Sequence, residues 1–123
     1  MPKTKVVFYR EEDGTVPVLD WLDGLPDKVK AKCRVRIERL KWLGHELRRP
    51  AADYLRDGIY ELRVSYQGVN YRMLYFFHGR EAVVVSHGLV KEQKVPLKEI
   101  KKAVERKKKF DADPKRYAFK PGS

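Results

Sequence analysis

Gly58-Ile-Tyr-Glu-Leu-Arg63-Val-Ser-Tyr-Gln-Gly68-Val-Asn-Tyr-Arg72-Met-Leu-Tyr-Phe-Phe77 is the stretch that most limits what this chain can become. It alternates as two strands, and Gln67-Gly68 between them is suited to a two-residue turn. With that turn Tyr66 pairs with Val69, and because side chains alternate with a period of two, every other pairing follows. One face carries Tyr60, Leu62, Val64, Tyr66, Tyr71, Met73, Tyr75 and Phe77, an apolar aromatic surface that needs a cover. The other places Arg63 directly opposite Arg72. Like charges across a strand pair repel, so a nearby anion is expected; the bland alternative is that one of the two is neutralised by Glu61 or lies free in solvent.

The 123 residues are 42% apolar and 11% aromatic, enough for one core. Residues 1–110 read as a single domain, and 111–123 as a loosely ordered tail without periodicity. Lys and Arg number 28 against 17 Asp and Glu, a net charge of +11, concentrated in residues 91–123. A polyanion is the partner class this implies. A lone cysteine, Cys33, cannot form an internal disulfide, and neither a signal-like nor a membrane-length apolar run occurs. The expectation is a cytoplasmic protein that does not engage the membrane. Cys33 falls on the apolar stripe of a helix, where it acts as a small hydrophobe.

In chain order, Lys5–Tyr9 reads as a strand. A short helix over Val16–Leu22 follows, which Thr15 can cap and whose first turn tolerates Pro17. Pro26 opens a longer helix to about Leu43, with Val29, Cys33, Ile37, Leu40 and Leu43 at helical spacing and Gly44 as the stop. Its other side carries Lys28, Lys30, Lys32, Arg34, Arg36, Arg39 and Lys41, either a solvated face or one turned toward nucleic acid. Residues 45–57 read as an irregular connector broken at Pro50. Beyond the hairpin, a tight turn at His78-Gly79-Arg80 leads to a third strand over residues 82–87. A two- or four-residue loop puts Val83, Val85 and His87 on the face of Arg72; a three-residue loop reverses this. The last helix carries only Leu97, Ile100 and Val104 as apolar stripe among many lysines. A stripe that narrow buries little area, so weak docking is expected.

The run from Gly58 to Arg63, the Tyr71-Arg72 pair with its aromatic strand, and His87-Gly-Leu-Val-Lys91-Glu-Gln-Lys94-Val-Pro96 ahead of a basic helix resemble the RelE/HigB toxin superfamily, in its phage-derived Gp49-like branch. The resemblance implies an α+β fold of the RelE/ParE type: a small, mainly antiparallel sheet, two N-terminal helices on one face and a C-terminal basic helix. It also implies the toxin of a type II toxin–antitoxin pair, a ribosome-dependent endoribonuclease acting on messenger RNA. Its partner would be a cognate antitoxin, in this branch often a helix-turn-helix protein. The chemistry implied is metal-free attack of a ribose 2′-hydroxyl on the adjacent phosphorus, with no cofactor.

Such a reaction requires a base for the 2′-OH proton, cations around the phosphorane and an acid for the leaving 5′-oxygen. Arg63 and Arg72 can supply the cations, since a guanidinium fork matches phosphate oxygens and stays charged. His87 is the candidate base or acid, because an imidazole titrates near neutrality; the bland alternative is a strand-end histidine bonded to backbone. Lys91 matches the family's lysine-rich segment and completes the candidate catalytic set. Lys94, Lys98, Lys101, Lys102 and Arg106 form the candidate RNA-binding set, each alternatively a solvated charge. Where the family often shows a second adjacent lysine this chain has Glu92, which removes a positive contact or adds a carboxylate base. His45 and His78 read as surface residues, and the three histidines suggest no metal site. Tyr60, Tyr71 and Tyr75 read as core. Two alternatives stay open: a gyrase-binding toxin of the ParE kind without nuclease activity, and a non-catalytic RNA-binding module driven by charge.

Overall fold

Gln67 and Gly68 both take positive φ, 49° and 78°, the pair of left-handed conformations that a type I′ hairpin turn requires. The ladder they set runs unbroken from Tyr66 opposite Val69 to Tyr60 opposite Tyr75, with Arg63 opposite Arg72 as expected. The computed structural model describes residues 4–79, 82–90 and 94–121. In chain order its elements are β1 (Lys5–Tyr9), α1 (Pro17–Asp23), α2 (Asp27–Leu43), a 3-10 turn at Gly44–Glu46, β2 (Ala52–Arg56), β3 (Ile59–Tyr66), β4 (Val69–His78), β5 (Ala82–Val90), α3 (Leu97–Ala112), α4 (Pro114–Tyr117) and β6 (Ala118–Phe119). The strands form one sheet in the order β2-β3-β4-β5-β1-β6. Neighbours are antiparallel except β1 and β5. This is the α+β architecture expected.

Helices α1 and α2 cover the apolar aromatic face: Val18, Leu22, Val29, Cys33 and Leu40 pack on Phe8, Leu62, Val64, Met73 and Tyr75. Pro26 stands at the N-cap position of α2, and Gly44, with φ 51°, ends the helix. Burial pushes the Cys33 thiol up to about 11, so it is an inert core residue.

The opposite face is a second core rather than an open surface. Ile100, Ala103 and Phe110 of α3 pack on Val7, Tyr9, Leu74, Phe76 and Val84. The stripe of α3 is therefore wider than Leu97, Ile100 and Val104 suggest, and Leu97 itself is exposed. Ala103 and Phe110 do the work instead, and Arg106 adds an ion pair to Glu11. The residues after Phe110 are not a loose tail as far as Pro121. Helix α3 continues to Ala112, Asp113 accepts the Arg116 N–H to cap α4, and β6 pairs with β1. Tyr117 is buried, its ring stacked on Tyr9 at 5.6 Å. Elements this short leave no periodicity to read.

A strand also replaces part of the expected connector. Asp57 and Gly58 take φ 53° and 83°, a second type I′ pair, and fold β2 back on β3. The loop between β4 and β5 pairs His78 with Ala82, leaving three residues between them. That length puts Val83 and Val85 on the α1/α2 face, with Phe77 and Tyr75. A bulge at Ser86, between the Tyr75–Val85 and Leu74–His87 pairs, then restores His87 to the face of Arg72.

Candidate functional site

The sheet carries two like-charge pairs side by side. Arg63 faces Arg72 across β3 and β4, and Asp53 faces Glu61 across β2 and β3. Either pair alone would destabilise the sheet; together they neutralise each other along the diagonals. Glu61, 1% exposed, accepts from Arg63 Nε and Nη2 at 3.0 and 2.8 Å through one oxygen and from Arg72 Nη1 at 2.7 Å through the other. Asp53 accepts from Arg63 Nη2 at 3.2 Å and pairs with Arg49 Nη2 at 2.9 Å. The hydrogen bond from Arg49 holds the Asp53 carboxyl below its usual range. The anion that the facing arginines demand is thus Glu61, and it binds both.

The cluster still leaves donors over. Three guanidinium groups surround two carboxylates; Arg72 Nε has no partner among the described residues but is buried, so the donors left for a ligand are on the terminal nitrogens. The Arg63 side chain is 36% exposed and that of Arg72 13%. Both arginines line an open groove of about 580 Å³ with Asp53, Tyr54, Arg56 and Lys94. On their other side they line a second, of about 490 Å³, with Arg36, Ser65 and Asn70. The pair is the ridge between two clefts rich in basic side chains, steadied by Glu61, whose buried carboxylate also lines the first of them.

His87 shares the face of Arg72 but not its groove. Helix α3 roofs it: Nε2 lies 3.0 Å from Glu99 Oε1, and Nδ1 lies 2.8 Å from Ser86 Oγ. Arg106 Nη1 approaches Ser86 Oγ at 3.5 Å. One assignment satisfies the chain, with Arg106 donating to Ser86, the Ser86 hydroxyl donating to Nδ1, and Nε2–H donating to Glu99. Burial, reinforced by the Arg106 charge, lowers the His87 pKa to about 4, so the imidazole is neutral near pH 7.

Of the residues expected to act on RNA, Arg63, Arg72 and Lys94 meet in one groove. Lys98, Lys101 and Lys102 are exposed along α3, on a solvated face. Arg106 is turned inward, bonded to Glu11 at 2.7 and 3.1 Å and packed over the Tyr9 ring at 5.3 Å. These contacts hold α3 to the sheet. Lys91 and Glu92 lie outside the described residues. Sequence reasoning missed Asp53 and Arg49 as members of the cluster, because it missed β2. The Asp57-Gly58 turn signature was the signal that could have placed Asp53 opposite Glu61. Among the described residues no group of three or more His, Cys, Asp or Glu side chains could hold a metal ion, and no helix is long and apolar enough to cross a membrane.

Residues 20–108 match the family described as phage derived protein Gp49-like (DUF891). That span runs from α1 through most of α3 and includes every residue of the arginine cluster. Comparison with curated proteins finds no match.

Proposed function

The chain belongs to the phage-derived Gp49-like family, and from that premise we propose that it is the toxin of a type II toxin–antitoxin pair that cuts messenger RNA on the ribosome. The observation that carries the proposal is the Arg63–Arg72 ridge: two guanidinium groups held face to face between open basic grooves, with N–H groups to spare. In the proposed step a base takes the 2′-hydroxyl proton, the 2′-oxygen bonds to phosphorus, and the bond to the 5′-oxygen breaks as that oxygen takes a proton from an acid, leaving a 2′,3′-cyclic phosphate and a 5′-hydroxyl. Charge grows on the non-bridging oxygens, and Arg63 and Arg72 donate to it. Because Glu61 fixes both forks in advance, little reorganisation is needed when that charge appears. Lys94 extends the positive wall along the strand of RNA. A cognate antitoxin, a helix-turn-helix protein, is the proposed silencing partner.

Proton transfer divides this proposal from its rival. His87 is in the neutral form that a general base needs, but Glu99 and α3 close it off, so it serves as base only with Glu99 displaced. That closure, with the carboxylates on the arginines, favours as second reading a module that holds RNA without cutting it.

Induction of the wild type and of Arg72→Ala in cells, with mapping of messenger 5′ ends, separates these. Codon-phased cuts in the wild type that fall at least about 100-fold with Arg72→Ala, the loss typical of removing a transition-state donor, support the nuclease. Uncut transcripts with gyrase-linked DNA damage overturn it in favour of a gyrase poison. Uncut transcripts and intact DNA leave the binding module.

A further inference from the structure

Beside the arginine groove, across the edge strand β2, lies an open cleft of about 550 Å³ lined by His45, Arg48, Arg49, Tyr54 and Tyr60. Its rings form a continuous array. Tyr54 meets Tyr60 edge to face at 5.0 Å, Tyr60 meets Phe77 at 5.2 Å, and His45 stacks on Phe77 at 3.6 Å. Tyr54 is 53% exposed. It is also anchored: its hydroxyl accepts the Gly58 N–H at 3.0 Å, tying the far end of the ring to the turn that follows β2. A ring fixed in this way presents its face without an ordering cost when a ligand arrives.

Cleft and groove share a hinge of charge. Arg49 of the cleft and Arg63 of the groove both bond Oδ2 of Asp53, at 2.9 and 3.2 Å. Tyr54 borders both cavities. Tyr54, opposite Tyr60, is on the α1/α2 face of the sheet and the arginine pair is on the other, so a strand that runs round the edge strand β2 meets a flat apolar face beside a cation and then the two arginines, the alternation of base and phosphate along a single strand.

We infer that the β2 cleft is a nucleobase pocket, in which Tyr54 stacks on a base of single-stranded RNA whose neighbouring phosphate lies on Arg63 and Arg72. This rests on the RNA-directed reading of that groove. Arg49 sits at the mouth, where its fork can meet the base edge or the next phosphate.

The test is equilibrium binding of the purified full chain, by fluorescence anisotropy, to a labelled oligoriboadenylate and to an abasic ribose-phosphate strand of equal length. The wild type is expected to prefer the strand with bases by about 5- to 150-fold, the range for one stacked base. Tyr54→Ala should erase that preference and Tyr54→Phe should keep it, while Arg72→Ala should weaken both strands alike. A preference that survives Tyr54→Ala, or none in the wild type, overturns the pocket while the Arg72→Ala loss leaves the groove standing. If Arg72→Ala changes neither affinity, the groove reading fails and the inference falls with it.

Discussion

Glu61 is a residue whose removal tells more than that of the arginines it holds. It is buried, and its two oxygens receive both Arg63 and Arg72. Taking away one member of a buried ion pair leaves the others desolvated without compensation, at a cost of about 3–5 kcal/mol. Here the partners left behind also repel each other. Glu61→Gln is therefore expected to lower the unfolding free energy by about 3 kcal/mol in urea titration, and added sulfate should recover more of that loss than it gives the wild type. An unchanged midpoint would show that the arginines relax into solvent. The sequence shows the arginine pair and names Glu61 as a possible neutraliser of one. That Glu61 takes both, and that Asp53 joins it, depends on which rotamers the crowded face allows, and alternation along a strand does not encode that.

The elements reveal why some of the fold is legible and some is not. The β3–β4 register is, because a two-residue turn and an eight-residue alternation leave a single solution. Helix α2 is, because Val29, Cys33, Ile37 and Leu40 keep step along it, although Leu43, next in the series, is exposed. Strand β2 hides because its exposed Tyr54 and Arg56 spoil the pattern of a buried strand, although Asp57-Gly58 announces the turn. The placement of His87 follows from two departures that cancel, an odd loop and a bulge at Ser86. Gly88 of β5 shows how closely α1 lies on that strand: a Cβ there would overlap the ring of Trp21. Gly88→Ala must push Trp21 and with it α1 off the sheet, and a loss of about 1–3 kcal/mol is expected, measured as a lower thermal midpoint. Trp21→Leu in the same background should restore part of it.

At the scale of the whole molecule, His87 gives stability a dependence on pH that begins well above the carboxylate range. Its folded pKa of about 4 lies below the 6.5 of the unfolded chain. Between those values the unfolded state binds the extra proton, so stability is complete above pH 6.5 and falls as pH drops toward 4. The slope should approach about 1.4 kcal/mol per pH unit at its steepest. Below that window Asp53 and Asp111, both held low by basic partners, add their own loss. Urea midpoints measured from pH 7.5 to 4 should show the slope, and His87→Gln, whose amide can accept from Ser86 and donate to Glu99, should flatten it.

The strand order carries a further consequence, for the time course of synthesis. Strand β1 lies between β5 and β6, with Lys5 beside Ala82 and Tyr9 beside Ala118, so the first strand made has no neighbour until the late ones exist. A growing chain can close β2, β3 and β4 by local turns, but Arg106 cannot reach Glu11, nor Tyr117 stack on Tyr9, until α3 and α4 have been made. The arginine ridge is thus assembled early and its supporting face last, so a chain still being translated holds the ridge before the helix that backs it.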